Sequence, residues 1–293
     1  MYRSMQARQY ITGKAVLLGS LIVFLLVCPT IAADKVAAIL LVKDSLTAPN
    51  QPVTVEAKLI AKGLLKNSAL GGEPLELVIN GTLAATAMTG GDGRAFLSYV
   101  PKAKSITSVR VRVGNSPRVA SSEGEATLVV WEHRSPILVV EMASLWEEGF
   151  SKGPLPGLVP TIQPELKPMP DAADELGKLT QFYYGAIYVV PSSTGMDSFQ
   201  TNLEAREWLK AHKFPPGLVL IVPSGEEGIG GMIDTLHAAG WKTIKTGIGR
   251  SKSFAEAFLH RRLEAIIVPE PAKGDTPRKA KVAKDWREVR KKL

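Results

Sequence analysis

The sequence predicts two architectures in one chain: a β-sandwich over residues 34–134, then strands alternating with helices on a parallel sheet over 135–272. Three observations carry this. Apolar and polar residues alternate up to about His133, continuous apolar runs recur after it, and helix-length segments separate those runs. With 45% apolar and 22% charged residues the chain is neither low-complexity nor charged enough to stay unfolded.

The clearest strand of the first half is Val53–Leu59, where Val53, Val55, Ala57 and Leu59 share one face and Thr54, Glu56 and Lys58 the other. Val109–Val113 repeats the alternation, and Ala126–Trp131 is a shorter apolar strand. Asn80-Gly81 tolerates positive φ at both positions and marks a hairpin, and Thr89–Gly93 marks a second reversal. About seven strands without a helix read as an antiparallel sandwich. The run Gly72–Leu75, Val78–Gly81, Thr89–Gly93 and Tyr99–Pro101 resembles bacterial immunoglobulin-like domains, which implies a spacer or adhesion module.

In the second half the buried strands are expected at Ile137–Val140, Ala186–Val190, Leu218–Val222 and Ala265–Val268. Helices are expected at Asp171–Thr180, Thr201–His212, Ile229–Ala239 and Phe254–Arg262. Residues 146–170 carry Pro154, Pro156, Pro160, Pro164, Pro168 and Pro170, so they form a loop leaving the C-terminal end of the first strand, where ligands of parallel sheets sit.

Here the order of sequence words resembles the haloacid dehalogenase superfamily, and within it the lipin-type phosphatidate phosphatase domain. The words are Pro168-Met-Pro170, Tyr184–Tyr188, Arg206–Leu209, Phe214–Gly217, Gly247 at the start of a loop, and Ile266–Pro269 with Pro271. The resemblance implies a Rossmann-like, haloacid dehalogenase-like sheet, a nucleophilic Asp, a second Asp as acid/base, a Ser or Thr, a Lys, and magnesium ligands. At the corresponding places this chain has Glu141, Ala143, Val190, no Lys or Arg between Phe214 and Trp241, and Ile248 and Lys252. Ala143 cannot transfer a proton, and Glu141 sets its carboxylate one methylene too far for in-line attack. No catalytic residue, metal ligand or cofactor is therefore expected, and the α/β half reads as a degenerate pocket.

One expectation for that pocket is that the Lys252 ammonium takes the metal's place and pairs with Glu141. Ser144, Ser192, Ser193 and Arg250 would then line a mouth able to hold an anion or polar ligand; the alternative is ordinary loop polarity. The four histidines show no metal-ligand spacing, no serine sits in a G-x-S-x-G elbow, and Gly225–Gly231 lacks the Lys-Ser/Thr of a phosphate loop.

The net charge of +8 is unevenly placed. Arg3, Arg8 and Lys14 contribute at one end and residues 272–293 at the other, which leaves 34–271 close to neutral and gives no expectation of nucleic-acid binding. Residues 1–33 have the basic, apolar and small-residue zones of an export signal, with cleavage expected near Ala33; an uncleaved anchor is the alternative. The single cysteine, Cys28, lies within that segment, so the mature chain would fold without disulfides. Residues 273–293 read as a basic amphipathic helix with Val282, Trp286, Val289 and Leu293 on one face, either binding an anionic membrane or wall polymer or docking onto its own domain. The sequence thus points to an exported, non-catalytic binding or scaffolding protein whose partner is an unknown protein or anionic ligand. The alternative is a magnesium-dependent phosphoester hydrolase with an altered site.

Overall fold

The alternation over Val53–Leu59 is resolved as a strand whose even-numbered side chains face outward. It is β3 (Val53–Ala61), and Val55, Ala57 and Leu59 are fully buried. The computed structural model describes residues 35–63, 67–147, 166–192, 195–272 and 276–293. The expected export signal, Ser193 and the inner part of the proline-rich loop lie outside the described residues.

β3 pairs with β1 (Ala38–Val42), β4 (Ser68–Ala69) and β7 (Arg94–Tyr99) in one antiparallel sheet. The facing sheet runs in the order β2 (Ser45–Thr47), β9 (Glu123–Val130), β8 (Ser105–Val113), β5 (Pro74–Ile79) and β6 (Thr82–Met88). Leu59, Leu75, Leu77, Leu97, Val111 and Val130 from the two inner faces meet in one core. The expected hairpin forms at Asn80-Gly81, with φ of 50° and 78°, the geometry that only such residues adopt without strain.

One pairing departs from an antiparallel sandwich: β2 lies parallel to β9. The first strand crosses between sheets at Lys43-Asp44 without reversing direction, so its continuation meets β9 running the same way. Asp44 anchors the crossing, because its Oδ1 accepts a hydrogen bond from the Thr127 amide of β9 at 2.8 Å.

The second half is a six-stranded sheet in the order β12 (Leu218–Pro223), β11 (Gly185–Ser192), β10 (Ile137–Glu141), β13 (Ile244–Gly249), β14 (Glu264–Ile267) and β15 (Lys281–Val282). Every neighbouring pair is parallel. Helices α1 (Ala172–Phe182), α2 (Ser198–Ala211) and α5 (Trp286–Lys292) cover one face; α3 (Glu226–Ala238) and α4 (Lys252–Leu259) cover the other. Successive residues of β10 enter the two cores in turn: Leu138 and Val140 one, Ile137 and Val139 the other. Among the described residues no helix is long and apolar enough to cross a membrane.

Two expectations need correction. Residues 276–293 are not a separate helix: Lys281–Val282 add the sixth strand, and Ala283, Trp286 and Val289 are fully buried in the α/β core. The Trp286 indole N–H donates to the Ser144 carbonyl at 3.1 Å. The apolar face that a membrane-inserting helix would present is thus taken up inside the domain, which is the docking alternative. Second, Gly247 does not begin a loop. It lies inside β13, which runs on to Gly249, and a Cβ on it would strike the Phe258 ring at 2.6 Å.

The two halves are not separable beads, for Val36–Leu293 form one compact unit. Val129, Trp131 and Ala48 of the sandwich complete a core of the α/β sheet. At the polar centre of the contact the side chain of Asp44, fully buried, accepts from Thr127 N, from Arg206 Nη1 at 2.8 Å and from Val219 N at 3.1 Å. Arg206 also donates to the Glu125 carbonyl, and Asn202 bridges the Asp44 amide to the Val219 carbonyl. Burial raises the Asp44 carboxyl above its ordinary value, against the Arg206 guanidinium and the two amides that pull it down. Beside it the Lys58 ammonium meets Asp197 at 2.6 Å, and the Lys43 ammonium sits 4.2 Å from the centre of the buried Phe199 ring.

Removing one partner of this buried pair leaves Arg206 without its counter-charge, so Asp44→Ala should lower the unfolding free energy by about 3–5 kcal/mol, measured by urea denaturation of the whole chain. Trp286→Ala, which empties a core position, should lose a comparable ~3–5 kcal/mol. A loss under ~1 kcal/mol, the ordinary range for a surface substitution, would mean that the C-terminal segment is only loosely attached.

Candidate functional site

The C-terminal end of β10 is where a parallel sheet of this kind presents chemistry, and it ends on Glu141. The side chain is 2% exposed. Its Oε2 accepts from the backbone amides of Arg250 at 2.7 Å and Ser251 at 2.8 Å, and its Oε1 accepts from the Ser251 hydroxyl at 2.5 Å. Ser251 is the N-cap of α4, its Oγ also accepting from Phe254 N at 3.2 Å. The carboxylate therefore closes the N-terminus of α4, where the unpaired amides and the helix dipole favour an anion. Gly249 permits the approach, since a Cβ there would come within 2.8 Å of Glu141 Oε2 and 2.3 Å of the Phe254 ring.

This overturns the expected Lys252–Glu141 pair. Lys252 is the first residue of α4, with its side chain more than half exposed and its ammonium 3.8 Å from Glu256 one turn on. The charge of Glu141 is balanced by neutral donors of the strand-to-helix turn. The cation is not needed, and the helix start turns it outward. Ile248 is fully buried, and Val190 is buried in the opposite core from α4, so neither faces a ligand.

The remaining expected residues are placed as follows. Ala143 lies half-buried in a single 3₁₀ turn, Met142–Ser144. Ser144 is fully buried, its hydroxyl donating to the Glu141 carbonyl at 2.7 Å. Ser192 closes β11, its carbonyl accepting from Ser224 N at 3.0 Å. The Arg250 guanidinium donates to the Trp146 carbonyl at 2.8 Å, which ties the turn to the stem of the proline-rich loop. That stem is held by Met169 N donating to the Leu145 carbonyl and by the Trp208 indole donating to the Leu166 carbonyl. Ser144 is thus withdrawn from the expected mouth into the fold, and Arg250 is engaged by it.

A magnesium ion of the kind the family resemblance implies does not fit these residues. The Glu141 oxygens already accept from N–H and O–H donors, Ala143 supplies no carboxylate, and no group of three His, Cys, Asp or Glu able to hold a metal occurs among the described residues.

Sequence reasoning missed Ser251, although Ser251-Lys-Ser-Phe254 reads as a cap three residues ahead of a buried aromatic. It also missed the Asp44–Arg206 cluster, for which no local signal exists across 162 residues. Two of the resemblance words, Tyr184–Tyr188 and Phe214–Gly217, meet in space: the Tyr188 hydroxyl donates to the Pro215 carbonyl at 2.7 Å, and Gly217 lies where a Cβ would strike the Ala186 carbonyl.

No family model matches the chain and no curated protein matches it. Solved structures resemble parts of it. The D,D-heptose 1,7-bisphosphate phosphatase from B. bronchiseptica, complexed with magnesium and phosphate, is 13% identical over 54% of this chain and 97% of its own, with a TM-score of 0.41. The same phosphatase from Burkholderia thailandensis is 12% identical over 52% of this chain and 94% of its own, with a TM-score of 0.37. Titin domain M4 is 12% identical over 31% of this chain and 88% of its own, with a TM-score of 0.23. These likenesses are partial and assign no residue a role.

If Glu141 is a structural cap, Glu141→Gln should lower the unfolding free energy by about 1–3 kcal/mol, the range of a charge-assisted hydrogen bond in a buried site. Lys252→Met should stay within about 0.5 kcal/mol of the parent. Chemical denaturation of both variants checks this, and a Lys252 effect as large as that of Glu141 would restore the ion pair.

Proposed function

We propose that this chain is an exported, non-catalytic binding or scaffolding protein with a degenerate phosphatase-like α/β part. One observation carries the non-catalytic reading. The carboxylate at the nucleophile's place is 2% exposed and already accepts three hydrogen bonds, which leaves it no open path to a phosphorus atom and commits three of its four lone pairs. Two residues on, Ala143 offers no proton to a leaving group.

Export is supported by the basic, apolar and small-residue zones of residues 1–33. A scaffolding role is supported by the buried polar join of sandwich to α/β part through Asp44, Arg206 and Asn202 within one compact unit. Its partner, a protein or an anionic ligand, would be met by exposed surface and not at Glu141.

The test is hydrolysis of para-nitrophenyl phosphate by the full chain with and without magnesium. No turnover above the buffer rate is expected in either case. Magnesium-dependent turnover that Glu141→Gln abolishes would replace this reading with that of a phosphoester hydrolase.

A further inference from the structure

At the opposite end of the parallel sheet from Glu141, the start of β8, the end of α1 and the Pro215-Pro216 turn enclose a groove of about 860 Å3. That volume is within the roughly 300–1,000 Å3 of small-ligand sites. Three features of the groove are unexplained by the fold. Phe182 and Tyr183 stand 74% and 69% exposed at its edge, with ring centroids 6.4 Å apart and planes at 69°. Large aromatic side chains left so open, side by side, mark a contact surface. Next, Gly177 occupies the interior of α1, where glycine is unfavourable, although a Cβ there would meet nothing within 4 Å. Gly228 of α3 is by contrast required, since its Cβ would strike the Pro223 backbone, and a Cβ on Gly230 would meet the Arg261 guanidinium; Gly231 is as open as Gly177 but does not line this groove. Gly177 therefore lines the groove without serving the packing of the chain. Finally, the lining carries one cation, Lys104, and no carboxylate.

We propose that this groove binds a neutral oligosaccharide. A sugar ring has an apolar C–H face that lies against an aromatic ring and a rim of hydroxyls that both donate and accept, which matches Phe182 and Tyr183 beside the Gln181 amide and the Ser105 hydroxyl. A polyanion would need more than one cation. A proline-rich peptide offers mainly carbonyl acceptors, and the acceptor half of the Gln181 amide would then go unused. The site is independent of the Glu141 pocket, so phosphatase activity there would leave this proposal standing.

The full chain is titrated calorimetrically with maltotriose, cellotriose and N,N′,N″-triacetylchitotriose, and with decaproline. At least one trisaccharide should bind with a millimolar or lower Kd. The double variant Phe182→Ala/Tyr183→Ala, whose side chains support no core, should weaken that binding at least about tenfold while the Tm stays that of the parent. Gly177→Leu should abolish it. Gly177→Ala should raise the Tm by roughly 2–4 °C. Failure of all three sugars to bind, binding unchanged in the double variant or in Gly177→Leu, or binding of decaproline alone, would each overturn the proposal.

Discussion

The structure turns on a carboxylate that has been taken out of water. Asp44 sits where the first strand of the sandwich changes sheets, and its two oxygens collect a β9 amide, a β12 amide and the guanidinium of Arg206. An ion so placed is tolerable only with donors directed at both of its oxygens, so the groups around it have little freedom to move. The strand crossing, the parallel β2–β9 pairing and the seating of α2 against the sandwich all meet at this atom group. Arg206 extends the arrangement by donating to the Glu125 carbonyl, so the two side chains stand where a further strand would on that stretch of β9.

Glu141 shows the same problem met with different donors. It too is a buried acid at a strand end, but two amides and a hydroxyl of the β13–α4 turn satisfy it without a cation. A helix N-terminus can do this because its first amides have no partner within the helix and share the positive end of its dipole. The same bonds that stabilise the turn hold the carboxylate against the start of α4. The hydrogen-bond partners of Glu141 lie 2.5–2.8 Å away and all belong to this one turn.

Much of this was legible in the residues. The alternation in Val53–Leu59 and the continuous run Ile137–Val140 reveal their burial directly, because a period of two exposes one face and an unbroken apolar run exposes neither. The hairpin at Asn80-Gly81 follows from the φ angles those residues tolerate. The end of β13 lies three residues beyond the expected one because Gly247 and Gly249 are locally equivalent; the Phe258 ring that presses on one and the Phe254 ring that presses on the other distinguish them only once α4 is packed. Lys252 was read as an internal cation for the same reason, as one residue of helix phase decides whether a side chain faces the strand or water.

The sequence by itself determined the order of the two architectures, the near-neutral charge of residues 34–271, and that Glu141, Ala143, Ile248 and Lys252 stand where the resembled family has its Asp pair and metal ligands, since these depend on residue identity and periodicity alone. Tertiary structure decided that Trp286 belongs to the core, that Glu141 is bonded to Ser251, and that Asp44 joins the halves through Arg206. Those pairings lie 110 and 162 residues apart. Hydrogen bonding and burial act over a few ångströms of space, whatever the distance along the chain, so no local pattern records them.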